Sequence, residues 1–480
     1  MDQKKHVHLI GVCGTAMASL AGMLLLGGYR VTGSDAAAYP PMSDLLTTLG
    51  IPVREPYAET NLSPRPDLVI VGNAISRGNV ELEFVLDQRI PFRSLAEMIQ
   101  HEFLPRRDSL VVAGTHGKTT TTSMLAWIYE VASQRQPEYA PSFLIGGVAE
   151  NFGTSFCVRE SRPFILEGDE YDTAFFDKGP KFLHYFPDVL ILTHVEFDHA
   201  DIFRDLDEVK TAFQRLVNLV PRRGRIVAFD GNVNVDDCVA RAFCPVERYG
   251  LKPSSHWQLR DLAQGGGNSN WKIFRGGKEW LKVSMPLPGE HNALNATAAA
   301  ALAAGQGIEE AAIVDALARF RSVKRRLEVR AAVHGITIID DFAHHPTAIR
   351  ETLRALRAAY PGKRLWAVLE PRSNTLRRNI FETELVESLS LADKVVLAGV
   401  FKQENIPEAE RMHPEHVVAA LERGGRDALL YPTADAIVEG LTPRLEAGDI
   451  VAILSNGGFD GIYEKLPKAI RQGMRAQEKL

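Results

Sequence analysis

Val112-Ala113-Gly114-Thr115-His116-Gly117-Lys118-Thr119-Thr120 is the stretch on which the reading of this chain turns. An apolar run over 109–113 reads as a buried strand. It enters a glycine-containing turn, then Gly-Lys-Thr, then a helix-compatible run over 121–129. Strand, turn and helix in that order are what a phosphate-binding loop requires. Amides at the helix start cradle phosphate oxygens, the lysine neutralises their charge, and the threonine hydroxyl binds Mg2+. Val112 departs from the general Gly-x-x-x-x-Gly-Lys-Ser/Thr pattern, so the flanking strand and helix carry the reading more than the triplet does. Gly114, Thr115, His116, Gly117, Lys118, Thr119 and Thr120 are therefore expected at a nucleoside triphosphate, with Lys118 as the catalytic cation.

Such a loop needs metal ligands at the ends of neighbouring strands. Two clusters meet that need. Glu167-Gly168-Asp169-Glu170-Tyr171-Asp172 follows the strand-like run 164–166, and Thr193 to Asp201 follows the run 189–192. Open α/β sheets bind ligands at the carboxyl ends of their strands. Mg2+ takes oxygen ligands and keeps several waters, so Thr119 and Glu167 suffice for one ion. His199 is a weaker Mg2+ candidate on chemistry alone, because imidazole suits other metals better.

Outward from this centre, residues 6–10, 29–33 and 67–72 read as strands alternating with helices over 16–26, 44–49 and 82–87. Alternation of this kind implies a parallel sheet. Its first turn, Gly11-Val12-Cys13-Gly14-Thr15, is a Gly-x-x-Gly helix start suited to a diphosphate. Asp35 ends the second strand, where a carboxylate commonly meets a ribose hydroxyl. Beyond the central unit, runs over 271–274 and 279–283 read as a hairpin around Arg275-Gly276-Gly277-Lys278, and Gln264 to Asn268 as a flexible turn. The Ala-rich run 295–304 reads as a buried core helix. Strands over 327–333, 336–339, 365–369, 394–398 and 450–454 open a third unit. The reading is three α/β domains: 1–107, Rossmann-like; 108–325, a P-loop ATPase; and 326–480, Rossmann-like.

At 480 residues the chain is long enough for about three domains of ~150 residues. Its net charge of −5 disfavours nucleic-acid binding. No apolar run reaches the ~18 residues of a membrane span, and the amino terminus shows no signal-peptide core. Four cysteines (Cys13, Cys157, Cys238 and Cys244) make no disulfide framework. A cytoplasmic multidomain protein is expected. A GTPase is disfavoured by the lack of an Asn-Lys-x-Asp motif.

In order and spacing the motifs resemble the Mur ligases. Those carrying the resemblance are Gly114 to Thr121, Glu167 to Asp172, Asp198-His199, Gly289-Glu290-His291-Asn292-x-x-Asn295, Arg325-Arg326-Leu327 and Asp340-Asp341-Phe342-Ala343-His344-His345-Pro346. The resemblance runs from the first strand to Phe459 and implies an ATP- and Mg2+-dependent amide-bond ligase of peptidoglycan precursors. Four stretches resemble the branch that joins UDP-N-acetylmuramate to the recycled tripeptide L-alanyl-γ-D-glutamyl-meso-diaminopimelate, rather than to L-alanine. They are Gly33-Ser34-Asp35 with Tyr39 to Ser43, Phe175 to Lys178, Glu196 to Phe203, and Leu369-Glu370-Pro371-Arg372-Ser373-Asn374-Thr375. The alanine-adding enzyme is the near alternative, and a non-catalytic UDP-sugar and ATP sensor the distant one.

Carried over residue by residue, the resemblance implies a UDP end at Gly11, Gly14, Thr15, Ser34 and Asp35. Asn292 and Asn295 would line adenine, and Arg326 and Asp341 would reach ATP from the linker and third domain. His199 would hold a second Mg2+. His344, Arg372, Ser373 and Asn374 would meet the amine substrate. Two departures stand out: His194 replaces a usual Asn, and Gln214 occupies the position where several members carry a carbamylated lysine, with Lys210 nearby.

Overall fold

The computed structural model describes residues 4–38 and 42–477. Tyr39, Pro40 and Pro41, part of one stretch named above, lie outside the described residues. The first sheet is all parallel, in the order Val53–Arg54, Arg30–Ser34, His6–Ile10, Leu68–Val71, Phe92–Ser94. His6–Ile10 is buried at every residue, as a central parallel strand covered on both faces must be. The strand order reverses at this strand, which leaves a crevice above its carboxyl end at Gly11.

The second sheet has ten strands. Asp108–Ala113 lies between Pro163–Gly168 and Val189–Leu192, parallel to both, so the phosphate loop is flanked by the two acidic clusters. This register sets the site: Val112 pairs with Glu167, and Ala113 with both Gly168 and Leu192. The sheet ends in an antiparallel meander, Trp257–Gly265, Asn268–Arg275 and Lys278–Met285. Both turns are Gly-Gly pairs with positive φ (Gly266 +60°, Gly267 +83°; Gly276 +56°, Gly277 +81°), the type I′ geometry that matches strand twist. The expected flexible turn at Gln264 to Asn268 is thus a tight hairpin. The Ala-rich helix, Glu290–Gly305, is buried against the helix Lys118–Ser133. The third sheet runs Glu328–Val333, Ile336–Asp341, Ile450–Leu454, Leu365–Leu369, Lys394–Ala398, Asp427–Tyr431, with only its first pair antiparallel.

The sheets are joined in two different ways. Helix Thr15–Leu26 packs on the strand Thr154–Cys157 so closely that a Cβ at Gly22 would lie 2.3 Å from Phe156. Ser19 and Ser155 hydroxyls meet at 2.7 Å, and one apolar core runs continuously through both units. Phe175 and Phe176 add a second apolar tie, packed on Phe92. The third unit keeps its own cores on the two faces of its sheet. Its connection to the second runs through a linker with positive φ at Ser322 (+72°), Arg325 (+62°) and Leu327 (+52°).

Candidate active site

Helix Lys118–Ser133 begins at Gly117, whose φ of +81° only glycine adopts freely, and no side chain caps its first amides. Gly114, at φ +135°, lets the loop lie on the neighbouring strand end: a Cβ there would fall 2.1 Å from Thr193 Oγ1. Thr115 N–H donates to the His194 carbonyl at 2.8 Å. The result is a fixed row of free amides at the positive end of a helix dipole, an anion site.

Lys118 Nζ lies 2.7 Å from Glu170, and His199 Nε2 lies 3.2 Å from the same carboxylate. Burial opposes charge on all three groups, but their mutual attraction outweighs it. Glu170 is held below the usual carboxylate range, Lys118 is raised, and His199 is raised to about 9. His199 sits at φ +55°, a conformation held by the Asp198 carboxylate, which accepts from its amide at 2.7 Å. Thr119 Oγ1 donates to Glu167 Oε1 at 2.8 Å, and the Gly146 amide to its Oε2 at 2.6 Å. Burial pushes the Glu167 carboxyl up, since these contacts and Lys118 only partly offset it. Two oxygen donors this close, on an under-compensated carboxylate beside an anion site, fit Mg2+.

A cleft of about 300 Å³ between the second and third units is lined by His116, Gly117, Thr120, Asn292, Asn295, Arg326 and Asp341. Asn292 donates to the Pro288 carbonyl at 2.7 Å, and the Asn295 amide packs against Gly117. Arg326 lies 5.3 Å over the Phe342 ring. Asp341 fixes the linker, accepting from the Leu327 and Ala343 amides and the Thr352 hydroxyl. His194 also lines this cleft, 4.6 Å from the Phe229 ring, and burial lowers its pKa to about 4. Lys210 is ion-paired with Asp237 at 2.6 Å, and Gln214 is exposed.

Across this junction most contacts are polar, beside a few apolar ones: Phe197 lies 6.3 Å from Phe381, and a Cβ at Gly289 would fall 2.9 Å from the Ala355 Cβ. The Glu196 carboxylate takes His116 Nε2 at 3.0 Å and the Thr347 hydroxyl at 2.7 Å, with His345 Nδ1 3.7 Å away. Thr375 donates to Asp198 at 2.7 Å, and Asn374 to Asp201 at 2.8 Å. Ser373 Oγ donates to the His344 carbonyl at 3.3 Å and receives the Leu376 amide. His344 Nδ1 meets the Phe342 carbonyl at 2.8 Å. Arg372 lies 3.8 Å over the Phe401 ring, packed against Gly457, and reaches Glu370 at 3.3 Å.

At the far end, Gly11 (φ +80°) turns above the first strand, and Gly14 and Thr15 start the helix in the open. Asp35 accepts from the Cys13 amide at 2.8 Å and from Tyr57 at 3.4 Å. Ser34 lies below the turn rather than in it. Its hydroxyl is fully buried and bonded to Glu81 and His8, while its carbonyl accepts from Gly11 and Val12.

In the sequence Glu170 and Glu196 stand only as members of acidic clusters, with no local pattern that assigns either a role. Glu81 and Thr347 carried no signal, because their partners lie 47 and 151 residues away.

Three family models match the chain in succession: the Mur ligase catalytic domain over residues 6–104, the Mur ligase middle domain over 112–303, and the Mur ligase glutamate ligase domain over 325–457. The UDP-N-acetylmuramate–L-alanyl-γ-D-glutamyl-meso-2,6-diaminoheptandioate ligase of Escherichia coli strain K12 is 44% identical over 96% of this chain and 97% of its own. The protein of the same name from Haemophilus influenzae is 38% identical over 96% and 98%. The crystal structure of a murein peptide ligase from Psychrobacter arcticus superposes with a TM-score of 0.71 at 34% identity, covering 97% of this chain and 98% of that one. With the three models in sequence along it and such relatives over almost its full length, the chain belongs to the Mur ligase family.

Proposed function

We propose that this protein is an ATP-dependent ligase that joins the carboxylate of UDP-N-acetylmuramate to the alanyl amine of L-alanyl-γ-D-glutamyl-meso-diaminopimelate. The units 1–107, 108–325 and 326–480 would hold the UDP-sugar, ATP and the peptide respectively. One observation carries the reading: a P-loop lysine and two acidic clusters at adjacent parallel strand ends face, across a polar junction, the loop Arg372 to Thr375. The relatives that match this chain over almost their whole length are named for that reaction.

A carboxylate does not acylate an amine, because its leaving group would be oxide. Transfer of the ATP γ-phosphoryl makes an acyl phosphate, whose leaving group is phosphate. This step depends on positioning and charge neutralisation. Lys118 leaves Glu170 for the phosphate oxygens, and Arg326 adds a second positive charge from the linker. Thr119 and Glu167 would hold one Mg2+, and His199, once it has given up the proton that Glu170 stabilises, a second; the bound ions would supply electrostatic stabilisation of the transferring group. The alanyl amine must reach the acyl carbon neutral, and it then displaces phosphate to form the amide. Glu170, freed from Lys118, stands beside His199 and keeps a negative charge near that approach. Because water destroys an acyl phosphate, Glu196–Thr347, Asp198–Thr375 and Asp201–Asn374 close the cleft around it. UDP-sugar and ATP as co-substrates support a cytoplasmic site of action. Among the described residues no helix is long and apolar enough to cross a membrane.

The test is the product. ATP, Mg2+ and UDP-N-acetylmuramate with the tripeptide should give ADP and an adduct heavier by the tripeptide less water, by mass spectrometry. An adduct with L-alanine in preference to the tripeptide would overturn the acceptor assignment. ATP binding with no adduct from either would overturn the ligase assignment.

A further inference from the structure

Three side chains meet where the second and third units join. His116, Glu196 and His345 each bring one ligand atom within 4.8 Å of the others. The reaction above uses Glu196 only to close the cleft and gives His345 no task. His116 Nε2 lies 3.0 Å from Glu196 Oε2, and His345 Nδ1 lies 3.7 Å from the same oxygen. The two imidazole rings are 4.6 Å apart at their centroids. Tetrahedral Zn2+, bonded at about 2.1 Å, needs neighbouring ligand atoms about 3.4 Å apart, a spacing between those two distances.

The surrounding hydrogen bonds turn lone pairs inward. The Thr347 amide donates to His345 Nδ1 over a long 3.3 Å, so that nitrogen carries no proton, and Nε2–H donates to the Phe197 carbonyl at 3.2 Å. An imidazole whose outer N–H is held by a backbone carbonyl is oriented as metal ligands are. Its Nδ1 then faces a carboxylate oxygen, two acceptors with no proton between them. The Thr347 hydroxyl fixes that oxygen from outside at 2.7 Å. Although burial opposes its charge, hydrogen bonds from His116 and Thr347 hold Glu196 down to about 2, and burial lowers His345 to about 4. At neutral pH both therefore stand in the deprotonated form a metal requires, and His116 need only move its proton from Nε2 to Nδ1.

Two imidazoles and one carboxylate suit Zn2+ and its neighbours, whereas Mg2+ takes oxygen, as at Thr119 and Glu167. Two of the three ligands belong to the second unit, His116 on the phosphate loop and Glu196 after the strand Val189–Leu192. The third caps the helix Pro346–Ala359 of the third unit. We propose that His116, Glu196 and His345 form a site for one transition-metal ion of the Zn2+ class, which pins the third unit to the phosphate loop and holds the cleft shut. Neither the acceptor nor the ligase reading bears on this site.

The probe is Zn2+ itself, added to the full chain in excess Mg2+, with bound metal counted after equilibrium dialysis. Wild type should hold one ion per chain, and Co2+ in its place should show the intense visible bands of a four-coordinate ion. His345→Asn keeps a helix-capping side chain but removes the imidazole. It and Glu196→Gln should each weaken Zn2+ by about a hundredfold or more, since losing even an outer partner of a metal ligand costs about ten- to a hundredfold. Glu196→Gln carries the test alone if His345→Asn fails to fold. His199→Asn should bind Zn2+ as wild type does. Zn2+ should also slow amide hydrogen exchange by about tenfold on both sides of the cleft, over 194–199 and 343–349. No bound zinc would overturn the assignment. So would zinc that survives His345→Asn and Glu196→Gln but is lost with His199→Asn, which would place it at the Mg2+ centre. Protection confined to one unit would overturn the pinning.

Discussion

The two junctions of this molecule are built from opposite materials. Between the first and second sheets the contact is apolar and close: Gly22 admits Phe156, and one core serves both units. Between the second and third it is mostly polar: hydroxyls, carboxylates and imidazoles meet across the cleft, with Phe197 near Phe381 as a minor apolar contact, and the linker carries three residues at positive φ. Apolar burial is worth about 25 cal/mol per Å² and does not depend on orientation. A net hydrogen bond is worth only about 1 kcal/mol, because water substitutes for it when it opens. The first junction therefore holds the first unit, the proposed sugar end, rigidly against the phosphate loop, and the second is the one free to open and close.

This contrast is tested hardest where both junctions converge. Lys118→Ala should lower kcat by about a hundred- to a thousandfold, the loss expected when one transition-state donor is removed. Its melting temperature should stay near wild type, because Glu170 keeps His199 as a partner. Steady-state kinetics and thermal melting check both parts. Gly22→Leu should do the reverse. A side chain driven into Phe156 should cost about 1–3 kcal/mol of stability in chemical denaturation. Activity at low temperature should remain measurable.

Thr375→Val tests the polar side. Removing one hydrogen bond to Asp198 should leave stability within about 1 kcal/mol and lower kcat/KM for the acceptor by about tenfold. If Thr375→Val instead melted as Gly22→Leu does, the two junctions would not differ as described.

The smallest effect is in pH. Burial lowers His194 and His345 from 6.5 to about 4, so the folded state keeps them neutral while the unfolded chain takes up protons. This stability is complete above about pH 6.5 and is lost as pH falls from there towards 4. Between pH 7.5 and pH 6 these two histidines cost on the order of 1 kcal/mol, while His199, raised to about 9, stabilises in the opposite sense over the same range, so the effect is read as a difference: His194→Asn should lose less stability than wild type over this pH interval.

The same contrast explains what the sequence made legible. The phosphate loop is local: strand, turn and helix follow one another, so Gly114 to Thr120 could be read off directly and the structure arranges them accordingly. The Gly-Gly hairpin was legible for the same reason, because its turn chemistry lies in adjacent residues. Glu196 and Thr347 are 151 residues apart and meet only once the third unit has folded over the cleft. The resemblance puts Ser34 at the UDP end, yet strand alternation turns its hydroxyl down onto Glu81, a partner on the helix Val80–Asp87. Side-chain direction within a known element, and pairing between distant ones, are set by tertiary packing rather than by local pattern.

The most direct test of the account is where a label goes. UDP-N-acetylmuramate carrying 18O in its carboxylate should, on complete reaction with ATP and the tripeptide, pass one labelled oxygen into inorganic phosphate, as an acyl phosphate formed at Lys118 requires. ADP and amide formed with no label in the phosphate would contradict it.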